Sequence, residues 1–172
     1  MKTKKQEELV NSYLSIIGEE IRPLYKEIIM YLSELGYNPK KEKLNISFKH
    51  DQHNKQMAKM GFKKSQEHLP YFALRFSACR GYSQRFEDIV SAAAAKKTVK
   101  EARCIDKGCD YCAGEAETHA YIYKCPDNKI KFLCGANALE ISDITENDVT
   151  EIKELIREEH LYLMKHEAGI EI

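Results

Sequence analysis

The chain has no surplus of charge of either sign: Lys plus Arg and Asp plus Glu number 27 each. A nucleic-acid binder usually carries a basic excess, so neutrality argues against that class while leaving room for a local patch. No apolar run approaches the ~20 residues of a spanning helix, and no signal-peptide core follows Met1. A cytoplasmic protein with no membrane partner is expected. Low-complexity segments and internal repeats are missing, and Ala92-Ala93-Ala94-Ala95 is simply a good helix former. Also missing are a nucleophile elbow, a phosphate loop, a His-Glu zincin motif and a dinucleotide fingerprint, so the expectation leans away from an enzyme.

What is present suits one domain. The 172 residues are enough to bury a core, and the apolar and charged fractions, 43% and 31%, are ordinary for a globular chain. Residues 4–35 carry apolar side chains at steps of three and four from Val10 to Leu35, the pattern of an amphipathic helix. Pro23 interrupts that ladder, which predicts a kink or two helices meeting near Gly18 to Arg22, with Gly36 and Pro39 as the stop. Leu44 to His50 alternates as a strand does, and Tyr71 to Ala78 is its expected mate. Between them Asp51 to Leu69 reads as a long polar connection, a binding loop or a short helix over Asn54 to Met60, with His50 and His53 in solvent.

Ser83 is placed as the N-cap of a helix from Gln84 to about Lys97. Thr118 to Cys125 and Lys129 to Cys134 form a hairpin, and Ala138 to Ile141 an edge strand. Thr145 and Asp148 make a capping box, with Ile144 and Val149 as its hydrophobic staple, for a last helix running to about Lys165. Its Glu158, Glu159, His160 and His166 are expected in solvent. Adjacent strands joined by hairpins predict an α+β domain over 1–172: an antiparallel sheet of four to five strands packed by helices.

Six cysteines in a reducing compartment suggest thiols or metal ligands rather than disulfides. Cys104, Cys109 and Cys112 fall within nine residues of a cysteine-rich insert at 103–135. Thiolates bind Zn²⁺ tetrahedrally, and the two-residue gap between Cys109 and Cys112 turns both sulfurs toward one point. Cys125 and Cys134 at opposite ends of a hairpin arm would stand roughly 13 Å apart at ~3.3 Å per residue. Sulfurs on one zinc lie under ~4 Å apart, so only one of the two can join. Cys134, at the open end and followed by Gly135, is the expected fourth ligand. Cys125 is the spare, and Cys79 a small buried side chain.

The spacing Cys-x₄-Cys-x₂-Cys with a distant fourth Cys resembles the cluster loop of plant-type [2Fe–2S] ferredoxins over Cys104 to Gly114. That resemblance implies an iron–sulfur cluster as an alternative to Zn²⁺, and unmetallated thiols are the third reading. Lys107 stands where that loop has its usual glycine. Over the whole chain, the run Phe72-Ala-Leu-Arg-Phe-Ser-Ala-Cys-Arg-Gly-Tyr-Ser, the Cys-Ala-Gly-Glu loop and Met164-Lys-His-Glu-Ala-Gly resemble a recurrent bacterial protein family to which no activity is attached.

Three function classes follow. The first is a zinc-stabilised module that binds a small molecule or a protein partner. Its binding face carries Tyr71, Arg75 and Ser77 on the outward side of the sheet, joined by His119, Tyr121 and Tyr123 of the hairpin. Arg80 and Arg85 beside a helix N-terminus would favour an anion there. The second is a redox- or metal-responsive protein in which Cys109 and Cys112 form a reversible disulfide. The third is an enzyme, disfavoured because four thiolates close the coordination sphere of a zinc.

Overall fold

The computed structural model describes residues 1–43, 45–63, 69–96, 119–125 and 127–167. Cys104, Cys109 and Cys112 lie outside the described residues, as do Lys64, His68 and the C-terminal stop at Gly169.

The amphipathic N-terminal run forms two helices, α1 (Lys4–Leu14) and α2 (Arg22–Glu34). Thr3 and Gln6 close a capping box at the start of α1. Pro23 sits in the first turn of α2, where its missing N–H costs nothing. Arg22 then binds back to the carbonyls of Leu14 and Ile17 at 2.9 and 3.1 Å, satisfying the end of α1.

Five strands follow in one antiparallel sheet of order β1-β2-β3-β4-β7. They are β1 (Tyr37–Glu42), β2 (Asn45–His50), β3 (Gln56–Phe62), β4 (Pro70–Leu74) and β7 (Leu139–Glu140). A separate hairpin joins β5 (Tyr121–Lys124) to β6 (Ile130–Leu133). Helix α3 (Gln84–Ala95) flanks β7 and β5, and the last helix, α4 (Glu146–Glu167), packs on α2.

The architecture is the α+β sheet expected, with two strands more than the periodicity showed. Tyr37 to Glu42 is a strand rather than a turn. As an edge strand, β1 tolerates Pro39, whose missing donor costs no ladder bond if it faces outward. Gln56 to Phe62 is likewise a strand, not a loop or a helix. Met57, Ala58 and Met60 are good helix formers, but pairing with β2 on one side and β4 on the other outweighs that preference. A register shift between Phe48 and Lys49 obscures the alternation. The mate of β2 is therefore β3, and β4 ends at Leu74, short of the expected Ala78.

The inner sheet face carries Phe48, Ala58, Met60, Phe72 and Leu74, all fully buried beneath the helical layer. Tyr13 meets Phe62 at 5.1 Å between ring centroids, and Tyr25 meets Phe72 edge-on at 6.3 Å. The start of α4 has the expected devices. The Asp148 carboxylate accepts the Thr145 N–H and hydroxyl, each at 2.8 Å, and Ile144 and Val149 are both buried.

Candidate functional site

The polar residues selected from the sequence divide into two groups, one buried under α4 and one on the outer surface. Arg75 and Ser77 do not stand on an outward sheet face. The strand has ended before them, and they are 3% and 1% exposed. Arg75 Nε lies 2.5 Å from Glu159 Oε1, while Glu159 Oε2 accepts the N–H of Ala78 at 2.8 Å. Ser77 Oγ donates to the carbonyl of Gly135 at 3.0 Å. Tyr121 OH accepts the Phe76 N–H and donates to the Asn137 carbonyl, at 3.0 and 2.8 Å. Burial holds the Tyr121 phenol well above its ordinary pKa, with the Glu159 charge pushing the same way. Cys79 is buried as expected, its Sγ directed to the Leu155 carbonyl at 3.4 Å.

These bonds fasten residues 75–79 to α4, to the hairpin and to the turn after β6. Glu159 is fully buried rather than solvated. Its place on the stripe Ile152, Leu155, Ile156, Leu163 was the sequence signal that it faces inward.

A second buried cluster escaped the sequence reading. His50 is 6% exposed, not in solvent, and stacks on His53 at 4.2 Å between centroids. The His160 ring is 5.7 Å from that of His50, and its Nδ1 is 3.2 Å from Tyr37 OH. Burial first, then the neighbouring His50, lowers the His160 pKa. Nδ1 of His50 accepts the Gln52 N–H at 3.3 Å, and Nδ1 of His53 accepts the Lys55 N–H at 3.1 Å. A neutral ring with Nδ1 so engaged carries its proton on Nε2 and has no lone pair there for a metal. In keeping with that, no group of three or more His, Cys, Asp or Glu among the described residues is placed to hold a metal ion.

At the expected anion site beside α3, groups of the chain itself already engage the cations. The Ser83 N–H donates to Glu151 Oε1 at 2.6 Å. Arg85 lies 2.6 Å from Asp148 and also donates to the carbonyls of Ser142 and Asp143. Arg80 donates to the carbonyls of Ser77 and Cys79.

Tyr71 and Arg85 do come together. Both line a groove of about 890 Å³ between α3 and the outer sheet face, with Ile89 and Ala92 along one wall and Lys63, Asn137 and Glu140 along the other. Asn137 Nδ2 is buried there and has no hydrogen-bond partner among the described residues. The Lys63–Glu140 pair, at 2.6 Å, stands in the same groove.

Of the four proposed metal ligands only Cys134 is described. The β5–β6 register pairs Tyr121 with Leu133 and Lys124 with Ile130. Cys125 is thereby at the turn and Cys134 at the open end, where the chain arrives from the cysteine-rich insert. Comparison of the chain with protein-family models, with curated proteins and with solved structures gives no match.

Proposed function

We propose that the chain is a zinc-stapled α+β module that binds a small polar molecule in the groove along α3. Cys104, Cys109, Cys112 and Cys134 would hold the Zn²⁺, and Tyr71, Arg85 and Asn137 would face the ligand. The observation that carries the reading is the turn from Cys134 to Asn137. The Asn137 N–H donates to the Cys134 carbonyl at 3.1 Å, so one turn carries a candidate zinc thiolate at one end and a groove-wall amide at the other. Four thiolates fill a zinc's coordination sphere, which suits a staple rather than a reaction centre. A groove of this volume has the size of a small-molecule site, and its mainly polar lining, with Ile89 and Ala92 on one wall, suits a polar ligand.

Metal analysis of the full chain purified without added zinc tests the staple. One equivalent of zinc in a colourless sample is expected, with loss of metal in Cys109→Ser and Cys134→Ser and none in Cys125→Ser. Metal-free folded protein, or brown protein with visible absorption bands, overturns the zinc assignment. Chemical-shift changes at Tyr71, Ala92 and Asn137 on adding nucleotides, amino acids or sugar phosphates test the groove. No change with any of them overturns it.

A further inference from the structure

The neutral total conceals a segregation of charge. Between residues 40 and 63 stand Lys40, Lys41, Lys43, Lys49, Lys55, Lys59 and Lys63, against only Glu42 and Asp51. Between 140 and 159 the balance reverses, with eight carboxylates against Lys153 and Arg157. The first stretch forms β1, β2 and β3; the second forms β7 and most of α4.

The register puts Lys40, Lys49 and Lys59 on one side, while Lys41, opposite Ile46, turns to the other. Lys40 pairs with Ser47, Ser47 with Lys59, Lys59 with Ala73 and Ala73 with Glu140, a row straight across the sheet. Its members share the face turned away from α1, α2 and α4, because side chains opposite one another in a ladder point the same way. Lys49 projects from the same face. Ser47 and Ala73, both fully buried, alternate with the lysines along the row. Lys40 and Lys59 are two strands apart, about 10 Å at the usual spacing. Glu42 pairs with Lys49 at 2.6 Å and Lys59 at 3.8 Å, and Glu140 with Lys63. Lys40, Lys49, Lys59 and Lys63 against Glu42 and Glu140 leave the face cationic, with exposed Lys43 at the hairpin end.

We infer that this outer face of β1–β4 is a docking surface for the phosphate backbone of single-stranded nucleic acid. Its cations spread along and across the strands instead of converging, which suits an extended polyanion rather than one small anion. A membrane surface would need apolar side chains among the lysines. Among the described residues, the exposed Ile16, Met30 and Leu161 belong to the helical layer, Ile122 and Ile130 to the hairpin and Met1 to the N-terminus, and Leu69 adjoins the field. Asn45, Gln56 and the half-buried Tyr71 ring supply amides and an aromatic face for bases. The acidic α4 on the opposite side would repel the same polymer and so orient it. The face is separate from the zinc site, and it shares Lys63 and Tyr71 with the wall of the groove.

Fluorescence anisotropy of the full chain with a labelled oligouridine of about 20 nucleotides tests it, read between about 50 and 200 mM salt. Binding should weaken with salt at a slope of roughly −0.7 per phosphate contacted. Lys40→Glu with Lys59→Glu should lower affinity at least about tenfold, the size of losing a few phosphate contacts. Lys40→Glu with Lys43→Glu, both at exposed positions, should do likewise if the first pair folds poorly. Arg157→Glu on α4, which changes net charge by the same amount per residue, should leave binding intact. Absence of binding at low salt overturns the inference. So does an Arg157→Glu loss as large as that of the lysine variants, or equal competition by polyglutamate or by phosphatidylserine vesicles.

Discussion

Arg75 and Glu159, 84 residues apart in the chain, form an ion pair of 2.5 Å that is almost wholly withdrawn from water. The pair ties the end of β4 to the middle of α4. Because Glu159 also accepts the Ala78 N–H, its carboxylate satisfies a buried backbone donor as well as the guanidinium.

Removing one partner leaves the other charge buried. Glu159→Ala is expected to destabilise the fold by about 3–5 kcal/mol in urea denaturation, and Arg75→Ala by a similar amount. Replacing both, as Arg75→Met with Glu159→Leu, should cost much less than the two single losses together. Additive losses would show that the two groups do not act as a pair.

Gly135 is a steric requirement. A Cβ there would overlap the backbone carbonyl of His119 and press on Ser77 Oγ, which already binds the Gly135 carbonyl. Gly135→Ala should cost roughly 2 kcal/mol or more, since the obstacle is backbone. A Cβ at Gly81 meets nothing within 4 Å, so Gly81→Ala should be near neutral. Equal melting temperatures for the two variants would contradict this packing.

Asp148 serves two helices. It accepts from Thr145 at the start of α4 and pairs with Arg85 in the first turn of α3. Asp148→Ala should cost about 1–2 kcal/mol, at the upper end for a cap. Arg85→Ala should cost less, because that side chain is partly exposed.

The histidine cluster gives stability a pH dependence of definite sign. His160 has a folded pKa below its ordinary 6.5, caused by burial and then by His50. Between the two values the unfolded chain binds the proton and the folded chain does not, so stability rises with pH. The contribution is fully present above about 6.5 and is lost as pH falls toward the folded pKa. Urea midpoints measured from neutral to mildly acid pH should fall, and His160→Gln should flatten that slope. An unchanged slope in the variant would assign the acid sensitivity elsewhere.

Much of the fold was legible along the chain. Thr145 and Asp148 announced the start of α4 through a local exchange of bonds, and Pro23 announced the break between α1 and α2 through its missing donor. The β5–β6 hairpin was legible too, with Cys125 at its turn and Cys134 at its open end. The strands β1 and β3 were not. Both are made by partners: β1 exists because Tyr37 to Glu42 finds His50 to Asn45 opposite, and β3 because strands lie on either side of it. Of the candidate site, Tyr71 and Arg85 do share a groove, whereas Arg75, Ser77 and Tyr121 became internal fastenings.

By itself the sequence determined the α+β class, the helix starts and the apolar stripe of α4, because periodicity and capping depend on residues within a few positions of one another. The tertiary structure alone decided which polar groups would leave water. Burial of Arg75 beside Glu159, of His50 beside His160, and the gathering of Lys40 and Lys59 into one row depend on strand register and helix placement. Desolvation and charge are properties of neighbours in space, and those neighbours are remote along the chain.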